Sequence, residues 1–324
     1  MAQPQHTSRI SRKWMIRATG SALLLILLFW LLPWDAVIAG FRSTPPAVFV
    51  SVFAIFLLAH VGAALKWRLL LGHDMPVVAA IRAHFAGLAA NLCLPGAIGG
   101  DAVRAGLAQS SLQDGPRVVA VALVDRVIDM LALLTLSVIG IILTRDAGTE
   151  FSVILQSLAL LALAVAGFLA LPHLLPKLWT LIPSLPGRGF ADRLSSSFRL
   201  LAGRPALLVS VFLASTAVQL VLVSIAWWLA VAAGAGVAFG PWLFAWPLAK
   251  LVAVLPVSLN GLGLREATLA GFLLPFGAHA PAVVAAGLMW QAVLFAAGGF
   301  GALVLVMTGK GLPFAGKKDV VRGE

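Results

Sequence analysis

Six stretches of this chain, 18–34, 46–65, 130–144, 151–171, 206–233 and 282–308, carry no charged residue. Most approach or exceed the ~20 residues that an α-helix needs to cross a bilayer. Each is continuously apolar rather than alternating, which selects helices over the strands of a membrane barrel. With 61% hydrophobic residues, 11% charged residues and a mean hydropathy of +1.02, 324 residues offer no water-soluble core large enough to bury this sequence. The fold expected is therefore all-α and polytopic, in a membrane.

Charge placement sets the orientation. The net charge of +11 lies mostly in the segments between apolar runs. If Arg9, Arg12, Lys13 and Arg17 are inside, then Lys66, Arg68, Arg82, Lys177, Arg188, Arg193, Arg199, Arg204, Lys310, Lys317, Lys318 and Arg322 also fall inside. The outer loops hold only Arg42 and Arg145, against Asp35, Asp146 and Glu150. This positive-inside bias explains the basicity without nucleic acid and predicts an inner-membrane protein with both termini cytoplasmic. The basic loops would also attract anionic lipid. The expected domains are a basic N-terminus (1–17), one membrane domain (18–308) and a basic tail (309–324). The first apolar run exceeds the ~7–15 residues of a signal peptide and reads as an uncleaved span. Cys93 is the single cysteine, which excludes a disulfide framework.

Two other segments are apolar but broken. The stretch 83–104 must enter and leave on the cytoplasmic side, because 66–82 and 105–117 both fall inside. The stretch 241–276 starts and ends outside, with arms 241–256 and 264–276 interrupted by Pro247, Lys250, Pro256 and Pro275. It reads as an outer re-entrant hairpin or as two short spans. The order becomes span, span, inner hairpin, span, and then span, span, outer hairpin, span. That is about six full spans with two broken hairpins, in inverted halves 18–144 and 151–308. Within the loop 173–204, Phe190, Leu194, Phe198 and Leu201 suit either an amphipathic helix on the membrane surface or a solvated connector.

The two hairpins carry matching text. Leu94, Pro95, Gly100 and Arg104 align with Leu255, Pro256, Gly261 and Arg265 at one constant interval. Inverted repeats with broken helices are a transporter plan, with the binding site at the breaks. Around them, Asp101, Asp125, Asp129 and Glu266 balance Arg104, Arg126, Lys250 and Arg265 within or beside apolar elements. Each alone at the bilayer centre would cost about 2.5–3.5 kcal/mol, so they must pair, face an aqueous cavity or lie nearer the surface. Asp101 and Arg104 can share a helix face, as can Asp125 and Asp129, whereas Arg126 points elsewhere. Gly99, Gly100, Gly261 and Gly263 would permit tight turns and close backbone approach to a ligand. Free N–H groups at the half-helix starts near Asp101 or Leu264, with the arginine forks, suit a phosphate. An anionic lipid headgroup is the partner this chemistry favours.

His60 and His84 fit proton transfer or simple packing. Trp14, Trp34, Trp67 and Trp242 are expected as interface anchors, and Gln219 and Gln291 as interhelical hydrogen-bonding groups. The sequence has no catalytic triad, metal-ligand spacing or Walker loop, and implies no cofactor.

Leu94-Pro95-Gly96 through Gly99-Gly100-Asp101 and Arg104, with Asp125-Arg126, resemble the first motif of the lysylphosphatidylglycerol synthase transmembrane-domain family, also called flippase-like. Leu255-Pro256 through Gly261-Leu262-Gly263-Leu264-Arg265-Glu266 are similar to its second motif. The resemblance spans roughly 20–308 and departs from the family pattern at Asp125 and Asn260, where glutamate and glycine are expected. It implies movement of lipids between leaflets, of phospholipid, glycolipid or isoprenoid type. The family's soluble aminoacyltransferase domain has no counterpart in this sequence. A lipid-modifying transferase, or a scaffold for a partner lipid-synthesis enzyme, remains the alternative.

Overall fold

The computed structural model describes residues 34–93, 98–144, 188–253, 261 and 263–307, with isolated helical residues between 159 and 177. Residues 18–33 of the expected span 18–34, most of 151–171, Leu94-Pro95, Leu255-Pro256, Asn260, Trp14 and the C-terminal tail lie outside the described residues. Among the described residues there are ten α-helices and no strand. They are α1 (Trp34–Ser43), α2 (Pro46–Leu71), α3 (Val77–Cys93), α4 (Ile98–Leu112) and α5 (Gly115–Leu143), then α6 (Arg188–Ala202), α7 (Pro205–Ala232), α8 (Phe239–Val252), α9 (Leu264–Leu273) and α10 (Ala280–Met307). The protein is an all-α, multi-pass membrane protein. Four helices, α2, α5, α7 and α10, are long and apolar enough to cross a membrane.

Local sequence sets the boundaries. Proline occupies the first turn of α2, α5 and α7, where its missing N–H costs no helical hydrogen bond. Asp114 caps α5 by accepting from the Arg117 N–H at 3.2 Å. Helix α2 runs past Lys66 to Leu71, further than the expected span 46–65, because Leu69-Leu70-Leu71 continues its apolar text. Similarly, α4 runs on to Leu112 through the segment expected to be a polar loop.

The packing is reciprocal. The short helix α3 lies on α10, and the short helix α8 lies on α5. Helix α4 packs on α3 and α5, as α9 packs on α8 and α10. Helix α1 meets α10 as α6 meets α5, while α2 and α7 pack directly on each other. Two glycines set the reciprocal crossings. A Cβ on Gly140 of α5 would lie 2.3 Å from the Phe244 nitrogen of α8. On Gly301 of α10 it would lie 2.2 Å from the Phe85 oxygen of α3. The interval between these glycines is the one that separates Gly100 from Gly261 and Arg104 from Arg265.

Helix α6 is amphipathic, but its apolar face is not spread on a membrane surface. Leu194, Phe198 and Leu201 are buried in a cluster with Val118 and Val121 of α5 and Val211 of α7, while Phe190 stays exposed. The long apolar helices α5 and α7 supply the surface that this face covers.

Candidate functional site

Apart from Glu266, the charged residues singled out in the apolar elements converge on one cavity of about 310 Å³, lined from α2, α3, α4, α5, α7, α8, α9 and α10. Gly100, Asp101, Arg104, Asp125, Arg126, Asp129 and Arg265 all reach its wall. So does Lys66, which its neighbourhood to Trp67 and Arg68 makes look like a loop residue. The signal that would have found it is the leucine run after Arg68, which keeps Lys66 inside a span.

The carboxylates and cations form a ladder. Lys66 Nζ lies 2.9 Å from Asp125 Oδ1 and also bonds Asp129 one helical turn on. Asp129 accepts a second hydrogen bond from the Ser215 hydroxyl of α7. Arg104 Nη2 lies 2.9 Å from Asp125 Oδ2 and 3.6 Å from Asp101 Oδ1, and Arg126 pairs with Asp101. Thus Arg126 does serve a partner different from that of Asp125, as its position around the helix requires. Lys66 and Asp125 are almost wholly enclosed, whereas the Arg126 and Asp101 side chains are 40% and 31% exposed. The pairing offsets the cost of placing charge in an apolar bundle.

Trp67 is not an interface anchor. It is fully buried, and the Arg104 guanidinium sits 4.6 Å from its ring centroid. Trp242 is fully buried as well, stacked on Trp246. The indoles serve the charged core and its aromatic wall instead of the bilayer surface.

The second motif is arranged differently from the first. Glu266 is fully buried and does not reach the cavity. It accepts from Arg265 Nε at 3.1 Å and from the Gly263 N–H at 2.7 Å. Arg265 also donates to the Gly287 carbonyl of α10 at 3.0 Å and lies 5.8 Å from the Trp246 ring centroid. Gly261 and Gly263 have φ of +78° and +80°, the left-handed region that favours glycine, and form the turn into α9. Neither lines the cavity.

Gly99 and Gly100 lie within α4 and have no positive φ, because that helix starts at Ile98 and not near Asp101. Gly99 does not line the cavity. The Gly100 N–H is engaged by Asn91 Oδ1 at 2.9 Å, and a Cβ on Gly100 would come within 2.4 Å of the Gly87 oxygen. What Gly100 admits is the neighbouring helix α3.

Three further groups face the cavity. His60 Nδ1 and His84 Nε2 are 2.8 Å apart, joining α2 to α3. Lys250 Nζ donates to Gln219 Oε1 at 2.9 Å, joining α8 to α7. Gln291 of α10 closes the wall beside Trp290.

Residues 14–300 match the family model described as "Lysylphosphatidylglycerol synthase TM region". No curated protein matches the chain.

Proposed function

The chain belongs to the lysylphosphatidylglycerol synthase TM-region family, and from that premise we propose that it is a lipid flippase-like transporter. It moves the headgroup of a phospholipid, glycolipid or isoprenoid-type lipid between leaflets through the charged cavity. The observation that carries this reading is the ladder of Lys66, Arg104 and Arg126 with Asp101, Asp125 and Asp129, lining a cavity amid membrane-spanning helices. Charges kept inside a membrane at such cost mark a pathway for a polar group. The cavity volume suits a headgroup, and the acyl chains would stay in lipid.

In this reading α3–α4 and α8–α9 are re-entrant hairpins entering from opposite faces, within inverted halves 18–144 and 151–308 of a single membrane domain. The reciprocal packing of α3 on α10 and α8 on α5 supports it, as do the equivalent glycines Gly140 and Gly301. The setting is a bacterial-type cytoplasmic membrane, with both termini on the cytoplasmic side.

The test is reconstitution in liposomes with labelled lipids of several headgroup classes. Leaflet exchange should exceed that of protein-free liposomes and fall in Asp101→Asn. Exchange no faster than in empty liposomes across all classes would refute transport. Cysteines placed singly at 99–104 and 261–266 should label from opposite sides, and labelling from one side only would refute the inverted hairpins.

A further inference from the structure

Five cations and three carboxylates line the cavity, and Glu266 behind the wall neutralises Arg265. Each lining carboxylate already has a cationic partner: Asp101 has Arg126 and Arg104, Asp125 has Arg104 and Lys66, and Asp129 has Lys66. The surplus positive charge is Lys250. Among the described residues no carboxylate lies within ion-pair distance of it, and its partner is the neutral Gln219 oxygen. An ammonium group carries three donors, and this one faces the cavity with one such bond described. Its place in the last turn of α8 gives it the favourable end of the helix dipole, which is worth less than a partnering anion.

A second group points to the same ligand. The Gln291 side chain lines the cavity, is 6% exposed, and its buried Oε1 accepts no hydrogen bond among the described residues. An amide oxygen there can accept from a hydroxyl.

We propose that Lys250 and Gln291 form a headgroup subsite for a lipid phosphodiester that bears a hydroxyl and no amine, the phosphate lying at Lys250 and the hydroxyl at Gln291. This rests on the lipid reading above and narrows it. A headgroup with one negative charge brings the cavity to neutrality. An aminoacylated headgroup would add cations to a cavity whose carboxylates are all paired. The subsite therefore selects a simple anionic lipid over the lysylated one that the family's description suggests.

The test is calorimetric titration of the detergent-solubilised full chain with dihexanoyl lipids. Phosphatidylglycerol should bind saturably, and phosphatidylcholine and lysyl-phosphatidylglycerol at least about tenfold more weakly. Lys250→Met should weaken phosphatidylglycerol binding by about tenfold or more, and Lys250→Arg should retain most of it. Gln291→Leu should cost severalfold for phosphatidylglycerol and nothing for phosphatidic acid, whose headgroup carries no glycerol hydroxyl. Removing a half-buried cation that has no carboxylate partner among the described residues should also raise the melting temperature of lipid-free Lys250→Met, which a structural lysine would lower. Wild-type affinity in Lys250→Met, or equal affinity for the lysylated lipid, would overturn the subsite. Inorganic phosphate binding as tightly as the lipid would overturn the lipid assignment in favour of a free anion. Leaflet exchange that is indifferent to Lys250→Met refutes this subsite and leaves transport standing. Selective binding with no exchange in liposomes does the reverse.

Discussion

Lys66 Nζ stands 2.9 Å from Asp125 Oδ1 with both side chains almost wholly enclosed, a lysine of one membrane-spanning helix held against a carboxylate of another. The same ammonium bonds Asp129, so removing it leaves Asp129 with no cationic partner among the described residues, while Asp125 keeps Arg104. Breaking a buried pair from one side costs about 3–5 kcal/mol, because the remaining charge keeps its desolvation penalty. Lys66→Met should therefore lower the thermal stability of the purified protein sharply. Adding Asp129→Asn to that variant should recover part of the loss, because it removes the carboxylate that has lost its cation and leaves the Arg104–Asp125 pair in place. A double variant no more stable than Lys66→Met would show that the pair does not hold α2 to α5.

Gly140 and Gly301 make a matched pair of tests. An alanine at either would push a Cβ into the backbone of the crossing helix, where no side chain can rotate away. Overpacking of this kind costs about 1–3 kcal/mol, and more where backbone must move. Gly140→Ala and Gly301→Ala should each lower the melting temperature, and by similar amounts, since the two crossings are equivalent. Gly271, with open space around its Cβ position, is the internal control: Gly271→Ala should leave stability unchanged or slightly raised. Equal tolerance at all three positions would contradict the close crossings.

The long helices were legible in the sequence because a charge-free apolar run has few alternatives in a membrane, and α7 and α10 begin and end close to where the text turns polar. Helix α5, by contrast, starts well before its charge-free run 130–144 and carries Asp125, Arg126 and Asp129 in its first half. The site was legible only in part. Asp101, Arg104, Asp125, Arg126 and Asp129 stand out as charges in apolar text, and the bundle brings them together. Lys66 did not, because one basic residue beside Arg68 looks the same at a loop as it does inside a helix. Glu266 and Gly100 are conspicuous as text, yet the fold turns Glu266 away from the cavity and spends the Gly100 N–H on Asn91. Which side of a helix faces a cavity depends on the neighbours that cover the other sides, and a linear pattern does not encode those neighbours.

Glu266 is predicted to act through Arg265. Its two oxygens hold the Arg265 side chain and the Gly263 N–H, and Gly287 packs so closely that a Cβ there would lie 2.7 Å from Glu266 Cγ. Glu266→Gln keeps the shape but leaves a buried guanidinium without its counter-charge, at a cost of about 3–5 kcal/mol. The expected result is a large fall in melting temperature, with little change in lipid affinity for the fraction that folds. A stable Glu266→Gln protein with lost affinity would place Glu266 in direct contact with the ligand instead.

Arg126 and Asp101 give the opposite expectation. Their pair is part-exposed at 40% and 31%, against 3% and 2% for Lys66 and Asp125. A solvated ion pair contributes about 0–1 kcal/mol, so Arg126→Gln should leave the melting temperature nearly unchanged. In the transport reading proposed above, an entering headgroup meets these two part-exposed groups first. Leaflet exchange in Arg126→Gln should slow severalfold at low salt, and the difference from wild type should shrink as ionic strength rises and screens the lost attraction. If exchange is unaffected while stability falls, the pair is a structural clasp between α4 and α5, and the entrance to the cavity lies elsewhere.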